Sequence, residues 1–246
     1  MLDVFFLSYN EPYADENYAS LKELVPNARR VNGVKGFAAA HQECARRSFT
    51  NNFYVVDSDA IMLEDFDFSF TPSKHLDLWG KPENESIHIW CSINPINDLI
   101  YGHGGVKILP KQPLLGADKD VIDFTTGFGL NTKVCNEVSN ITAFNYDEFN
   151  TFRSAFRECT KLSSNLTNKD VLYKINFEEA TKIRAEAEYR LQVWTTVGEE
   201  NKFGKYCIQG AIQGKKYGEQ FFDNIEKLKL INDYEWMRNE FNKFFR

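Results

Sequence analysis

The sequence predicts a mixed α/β fold that opens with a parallel β-α-β-α-β unit. Strand-like runs fall at residues 3–9, 28–32 and 52–57, and the first and third are apolar on both faces. Helical patterns fill the two intervals between them. That alternation, inside the first 60 residues, calls for right-handed crossovers and a parallel sheet.

The elements follow in order. Val4, Phe5, Phe6 and Leu7 make the first buried strand, and Pro12 ends it. Asp15 and Glu16 open a helix to about Val25, acids first as the helix dipole prefers. After the second strand, Gly33 and Gly36 bracket a turn around Lys35. A helix over 37–48 places Phe37, Ala40, His41, Cys44, Ala45 and Ser48 on one face. The third strand, NFYVVD, ends in an acid. Further on, 86–93 reads as a strand, 101–105 as a glycine-bearing loop, 106–109 as a strand and 123–129 as another glycine-bearing turn. From Asp147 the pattern turns helical: Phe149, Phe152, Phe156 and Cys159 recur at helical spacing, and 178–194 and 219–245 read as helices. Residues 1–146 are therefore expected to form the ligand-binding core, and 147–246 a helical region completing the same domain on the acceptor side.

Composition excludes several classes. The chain has 246 residues, formal charge −6 and 21 Phe with 11 Tyr, a balance that argues for a packed core rather than disorder. The net charge excludes a wholly basic nucleic-acid coat but not a local basic groove. Five widely spaced cysteines without C-x-x-C read as reduced core thiols of a cytoplasmic protein. Four histidines make a His-built zinc site a poor fit. No apolar run reaches the ~18 residues a membrane span needs, and the amino terminus lacks the pattern of a signal peptide.

The chemistry centres on Asp57, Ser58 and Asp59. Two carboxylates at i and i+2, directly after a buried strand, can both reach one hard divalent cation, Mn2+ or Mg2+. Such a cation holds a diphosphate and offsets charge on a departing nucleoside diphosphate. The plainer alternative is that the two acids cap the next turn. A haloacid-type phosphatase also uses D-x-D, but on its first strand and with Thr or Val two residues on, where this chain has Ile61. Ligands of parallel sheets gather at the strands' carboxyl ends, which here carry 8–11, 33–36 and 57–59.

The blocks DVFFLSYNEP, ADENY, RVNGVKG, AHQECA and FYVVDSD resemble phage-encoded GT-A glycosyltransferases, the group of T-even-like phages that glycosylates hydroxymethylcytosine in DNA, including with arabinose. NPINDLIYGHGGVK and FNTFRSAFREC are similar to the same group, so the resemblance spans about 3–65 and 94–163. It implies a GT-A, Rossmann-like fold, a UDP-sugar donor and modified cytosine in DNA as acceptor. It also implies that Ser8, Tyr9, Asn10 and Glu11 hold uracil and ribose, with Tyr9 either stacked on the base or packed under the sheet. Lys35 and His41 would flank the nucleotide, although a core-facing His is as readily structural. Asp57, beside Ser58, would face ribose or metal, and Asp59 would bind the metal. Many such enzymes take a third ligand from a carboxyl-terminal His. This chain has none after His103, leaving water or His103.

Other candidates come from the residues alone. Gly104 and Gly105 offer amides that can approach a sugar or phosphate closely, or simply make a hairpin turn. Lys107 could approach the diphosphate or be a surface lysine. A general base is sought first in Asp123, then in Asp147 and Glu148, which are equally suited to capping a helix. Arg153, Arg157 and Lys161 recur at i, i+4 and i+8 as a basic stripe. Lys202, Lys205, Lys215 and Lys216 lie among glycines and aromatics, as in a mobile lid or a nucleic-acid contact. A solvated helix face and a flexible loop would explain both equally. Three readings stay open: transfer to modified DNA, transfer to a glycan or virion protein, and a non-catalytic module. Retention and inversion are equally open.

Overall fold

The computed structural model describes residues 1–76, 80–117, 129–166 and 175–245. It divides into two compact units, Met1–Asn94 with Ile100–Ala143, and Pro95–Leu99 with Phe144–Arg246.

The first unit is a mixed α/β layer structure. Strands β1 (Asp3–Ser8), β2 (Arg29–Asn32), β3 (Asn52–Asp57), β4 (Ala60–Met62), β5 (Ile87–Ile93), β6 (Ile100–Pro110) and β7 (Thr132–Thr142) form one sheet in the order β2-β1-β3-β6-β5-β7-β4. β1 pairs in parallel with β2 and β3, as the opening β-α-β-α-β pattern requires. β6 runs antiparallel to β3 and β5, β7 parallel to β5, and β4 antiparallel to β7. One edge therefore collects the carboxyl ends of β1, β2, β3, β5 and β7 with the amino-terminal half of β6.

Alternation along the strands divides the core in two. Val4, Phe6, Tyr54, Val56, Val106 and Ile108 pack with Leu21 and Val25 from the α1 (Ala14–Leu24) side. Phe5, Phe53, Val55, Ile87, Ile89 and Leu109 pack with Cys44 and Ala45 of α2 (Phe37–Arg47) and Leu114 of α3 (Lys111–Leu115). Both faces are covered, which is why β1 and β3 are continuous apolar runs.

Asp3 ties the far edge together. Its Oδ2 accepts from Ser48 Oγ at 3.1 Å and from the Phe49 and Thr50 amides, and its Oδ1 meets Arg29 at 2.9 Å. Burial pushes the carboxyl up, but these donors and Arg29 outweigh it and hold the group below its usual value. An acid with a depressed folded pKa contributes stability above its unfolded pKa and loses it as pH falls through the folded one. Asp3→Ala is therefore expected to cost about 2 kcal/mol near neutrality. In urea unfolding the gap to the unaltered chain should close below about pH 4. A pH-independent gap would remove charge from the explanation.

The second unit is helical: α4 (Glu148–Ser163), α5 (Phe177–Thr196), α6 (Gly204–Gln220), α7 (Ile225–Lys229) and α8 (Tyr234–Asn242). Two sequence expectations are corrected here. The glycine-bearing stretch at 201–218 is not a lid but mostly helix α6, because Gly210, Gly214 and Gly218 fall four apart on one face. A Cβ added there would lie 2.3 Å from Phe152 O, 2.1 Å from Phe156 O and 2.5 Å from Thr160 O. The glycines let two helix backbones touch. The expected single helix over 219–245 is broken, because Asn224 and Asp233 each cap a new start through their side chains.

None of the five cysteines is in a disulfide, and four of them are buried. Among the described residues no helix is long and apolar enough to cross a membrane.

Candidate active site at the carboxyl edge of the sheet

Asp57 is the last residue of β3, opposite Leu7 of β1, and Ser58 and Asp59 form the turn into β4. The turn is anchored from two sides. Asn17 of α1 donates its amide to Ser58 O at 2.8 Å, and the Ala143 N–H reaches Asp59 O at 2.6 Å. Ser58 is buried, and its carbonyl is the one that Asn17 holds. Nothing in the local sequence announces Asn17 or Ala143 as site residues. Only the sheet order brings the end of β7 beside this turn.

Lys107 of β6 reaches across to Asp57. Its ammonium lies 2.7 and 2.6 Å from the two carboxylate oxygens and 2.7 Å from Gly104 O. The Lys107 side chain is 4% exposed and that of Asp57 34%. The expected surface or diphosphate-facing lysine is thus a buried one engaged with protein oxygens. β6 runs antiparallel beside β3, which sets Lys107 opposite Val55 and aims its long side chain at the strand end.

Electrostatics separate the two acids. Burial holds the Asp57 carboxyl above its usual value; Lys107 offsets this only in part, and the Glu11 charge adds to it. Among the described residues no basic side chain pairs with Asp59. Desolvation first, then the charges of Asp57 and Glu11, push its carboxyl up to about 7, with Lys107 only partly compensating. A carboxylate so burdened gains from a cation, and the all-oxygen donors suit a hard divalent ion in kind. Among the described residues, however, no three His, Cys, Asp or Glu side chains converge as a ready metal-holding group.

The β1 and β2 ends flank this pair. Ser8 Oγ donates to Asn32 Oδ1 at 2.8 Å and accepts from Arg30 Nε at 2.7 Å, so its hydroxyl is engaged within the fold. Tyr9 is exposed, not packed under the sheet, and its amide donates to Glu11 at 2.7 Å. Asn10 and Lys35 are exposed as well. The Lys35 turn is tied back by Gly33 N–H to Ser8 O at 3.1 Å, with Gly33 and Gly36 both at positive φ. His41 is buried and donates from Nδ1 to Phe37 O at 2.7 Å. Burial, then the Lys107 charge, hold its pKa well below the usual value.

Gly104 and Gly105 do not form the expected open loop. They lie within β6, Gly104 at φ 82°, where a register shift against β5 absorbs the irregularity. A Cβ on Gly105 would meet the Asn140 side chain at 3.0 Å.

The acid candidates fare unequally. Asp123 lies outside the described residues. Asp147 caps α4, accepting from the Asn150 amide at 2.6 Å and from Asn150 Nδ2 at 2.8 Å. Glu148 accepts from Tyr206 Oη at 2.5 Å. Both carboxylates have the structural roles their helix-start position permits.

The basic residues are likewise partly engaged. Arg157 donates to Asn232 at 2.7 Å and Lys161 pairs with Glu158 at 3.1 Å, so the stripe on α4 is not a bare cationic face. Arg153 sits over the exposed Tyr234 ring at 5.7 Å. Lys202 and Lys205 lie over Phe203 and Tyr206 at 5.0 and 4.7 Å. Lys215 is 3.9 Å from Glu219, and Lys216 is exposed on the same helix.

Neither a protein-family model nor a curated protein sequence matches the chain. Among solved structures it is similar to HddC from Yersinia pseudotuberculosis, at 14% identity over 53% of this chain and 68% of that one, with a TM-score of 0.32. That likeness is too loose to carry an argument about fold or activity.

Proposed function

We propose that the chain is a metal-dependent glycosyltransferase of the GT-A type. It would move a sugar, arabinose among the candidates, from a UDP-sugar to a hydroxyl acceptor. The observation that carries this reading is the D-S-D turn at the carboxyl end of β3, braced on both sides, with Asp59 destabilised in its charged form. A half-buried acid disfavoured in its charged form gains from a nearby cation, which supports a cation-binding role over a turn cap.

Asp59, with Asp57 beside it, would hold Mn2+ or Mg2+. The ion would offset negative charge on the departing diphosphate. Tyr9, Asn10 and Lys35 are exposed and Glu11 is half-buried at the β1 and β2 ends, and they suit the nucleotide. For the acceptor, the resemblance to phage DNA-modifying transferases favours modified cytosine in DNA. Exposed Tyr234 beside Arg153, and Lys202 and Lys205 over aromatic rings, are the kind of side chains that meet bases and phosphates.

Thermal unfolding with UDP, with Mn2+ and with both tests the donor site. At ~100 times Kd a ligand contributes ~2.7 kcal/mol. For a chain this size the two together should raise the midpoint by about 5 °C or more. No shift under any combination would make a non-catalytic module the better reading. Transfer from UDP-pentoses and UDP-hexoses to hydroxymethylcytosine DNA, against unmodified DNA, tests the acceptor. A donor site without salt-sensitive DNA binding would point to a glycan or protein instead.

A further inference from the structure

α1 begins just after the loop at the β1 end. The Ala14 N–H meets Glu11 O at 3.2 Å, so the helix starts beside the acid whose charge bears on both Asp57 and Asp59. Packing then fixes where the helix lies. Ala14 and Leu21 are buried. Tyr18 packs against Phe6 with ring centroids 5.3 Å apart, and its Oη donates to Ala28 O at 3.0 Å. Asn17, on the same stretch of helix, is half-buried, and its side-chain amide donates to Ser58 O at 2.8 Å. Ser58 is 4% exposed. A buried carbonyl that loses its donor either goes unsatisfied or shifts toward water. The other anchor of the turn, the Ala143 N–H on Asp59 O at 2.6 Å, is backbone. Among the described residues, Asn17 is thus the one side chain bonded to the backbone of the D-S-D turn.

We propose that Asn17 is a positioning residue for the cation: it acts through the Ser58 carbonyl and fixes the turn on which Asp59 is carried. A hard divalent ion takes its oxygens at about 2.0–2.6 Å, so a turn free to shift by a fraction of an ångström no longer presents them correctly. Groups that orient a ligand from behind in this way contribute to affinity without touching the ion. The inference rests on the cation-binding reading above.

Asn17→Ala removes the donor and suits a helix, so the variant should fold, with a thermal midpoint lower by less than about 4 °C. In the metal-free chain the Ala143 amide should exchange its hydrogen about tenfold faster, because its acceptor, Asp59 O, is no longer held. Mn2+, titrated by electron paramagnetic resonance, should bind the variant about tenfold more weakly. UDP without metal should bind as it does to the unaltered chain. Asn17→Gln keeps an amide donor on a longer stem and should bring exchange and Mn2+ binding back to within about threefold of the unaltered chain. Unchanged Mn2+ affinity in Asn17→Ala overturns the inference, and so does unchanged exchange at Ala143. An equal loss of metal-free UDP binding would make Asn17 a general structural residue and also overturn it. If the unaltered chain binds no Mn2+ with or without UDP, the transferase reading itself falls, and this inference with it.

Discussion

On the transferase reading proposed above, Asp59→Asn should abolish sugar transfer, by about 1000-fold or more, while leaving the protein as stable as before or more so. The kinetic part follows from a lost cation, whose electrostatic help amounts to several kcal/mol, at ~1.4 kcal/mol for each tenfold. The stability part follows from the raised carboxyl. With a folded pKa of about 7 and an ordinary unfolded value, the unfolded chain ionises first as pH rises. Stability is therefore lost progressively from about pH 4 to pH 7, and the whole penalty is present above that. The amide carries no such penalty. Urea unfolding of both proteins at pH 5 and pH 8 should show Asn gaining on Asp at the higher pH. A variant less stable at pH 8 would instead make Asp59 a structural cap, and near-normal turnover would remove it from the active site. A residue whose replacement improves stability and destroys activity is under functional constraint.

Gly214→Ala should destabilise the helical unit by about 3 kcal/mol, against the direction helix propensity predicts. On an exposed helix the change would gain up to about 1 kcal/mol. Here the new methyl would lie 2.1 Å from Phe156 O and 2.7 Å from Phe156 Cα, and both atoms are backbone, so α4 and α6 must separate. Separation opens the core around Phe152, Phe156 and Tyr217, whose rings pack at this junction. Lys216→Ala, two residues along on the exposed side, should change stability by less than about 0.5 kcal/mol. Urea unfolding followed by far-ultraviolet circular dichroism measures both. A neutral Gly214→Ala would mean that the two helices do not approach as closely as described.

Much of the fold was legible. β1 and β3 announce themselves as short runs apolar on both faces, and the parallel unit follows because two helical patterns separate the three strands. α4 was readable from Phe149, Phe152, Phe156 and Cys159, three of which are fully or almost fully buried and one nearly so. The glycines misled twice, for one reason. A glycine has the same letter whether it permits a turn or permits contact. In β6, Gly104 and Gly105 sit inside a strand, and in α6 the recurring glycines sit against a neighbouring backbone. Their four-residue spacing was the available signal for α6, and it points to one helix face rather than to a loop.

The two acids of the site were equally visible in the sequence, and equal there. What the sequence determined is local: a buried strand, its acidic end, and the turn that follows. Tertiary structure alone decided what each acid is. β6 returns antiparallel to β3 from 50 residues away and brings a lysine to Asp57. β7 and α1 hold the turn that carries Asp59. A carboxylate's charge state depends on what lies within a few ångströms of it, and those neighbours are distant in the chain.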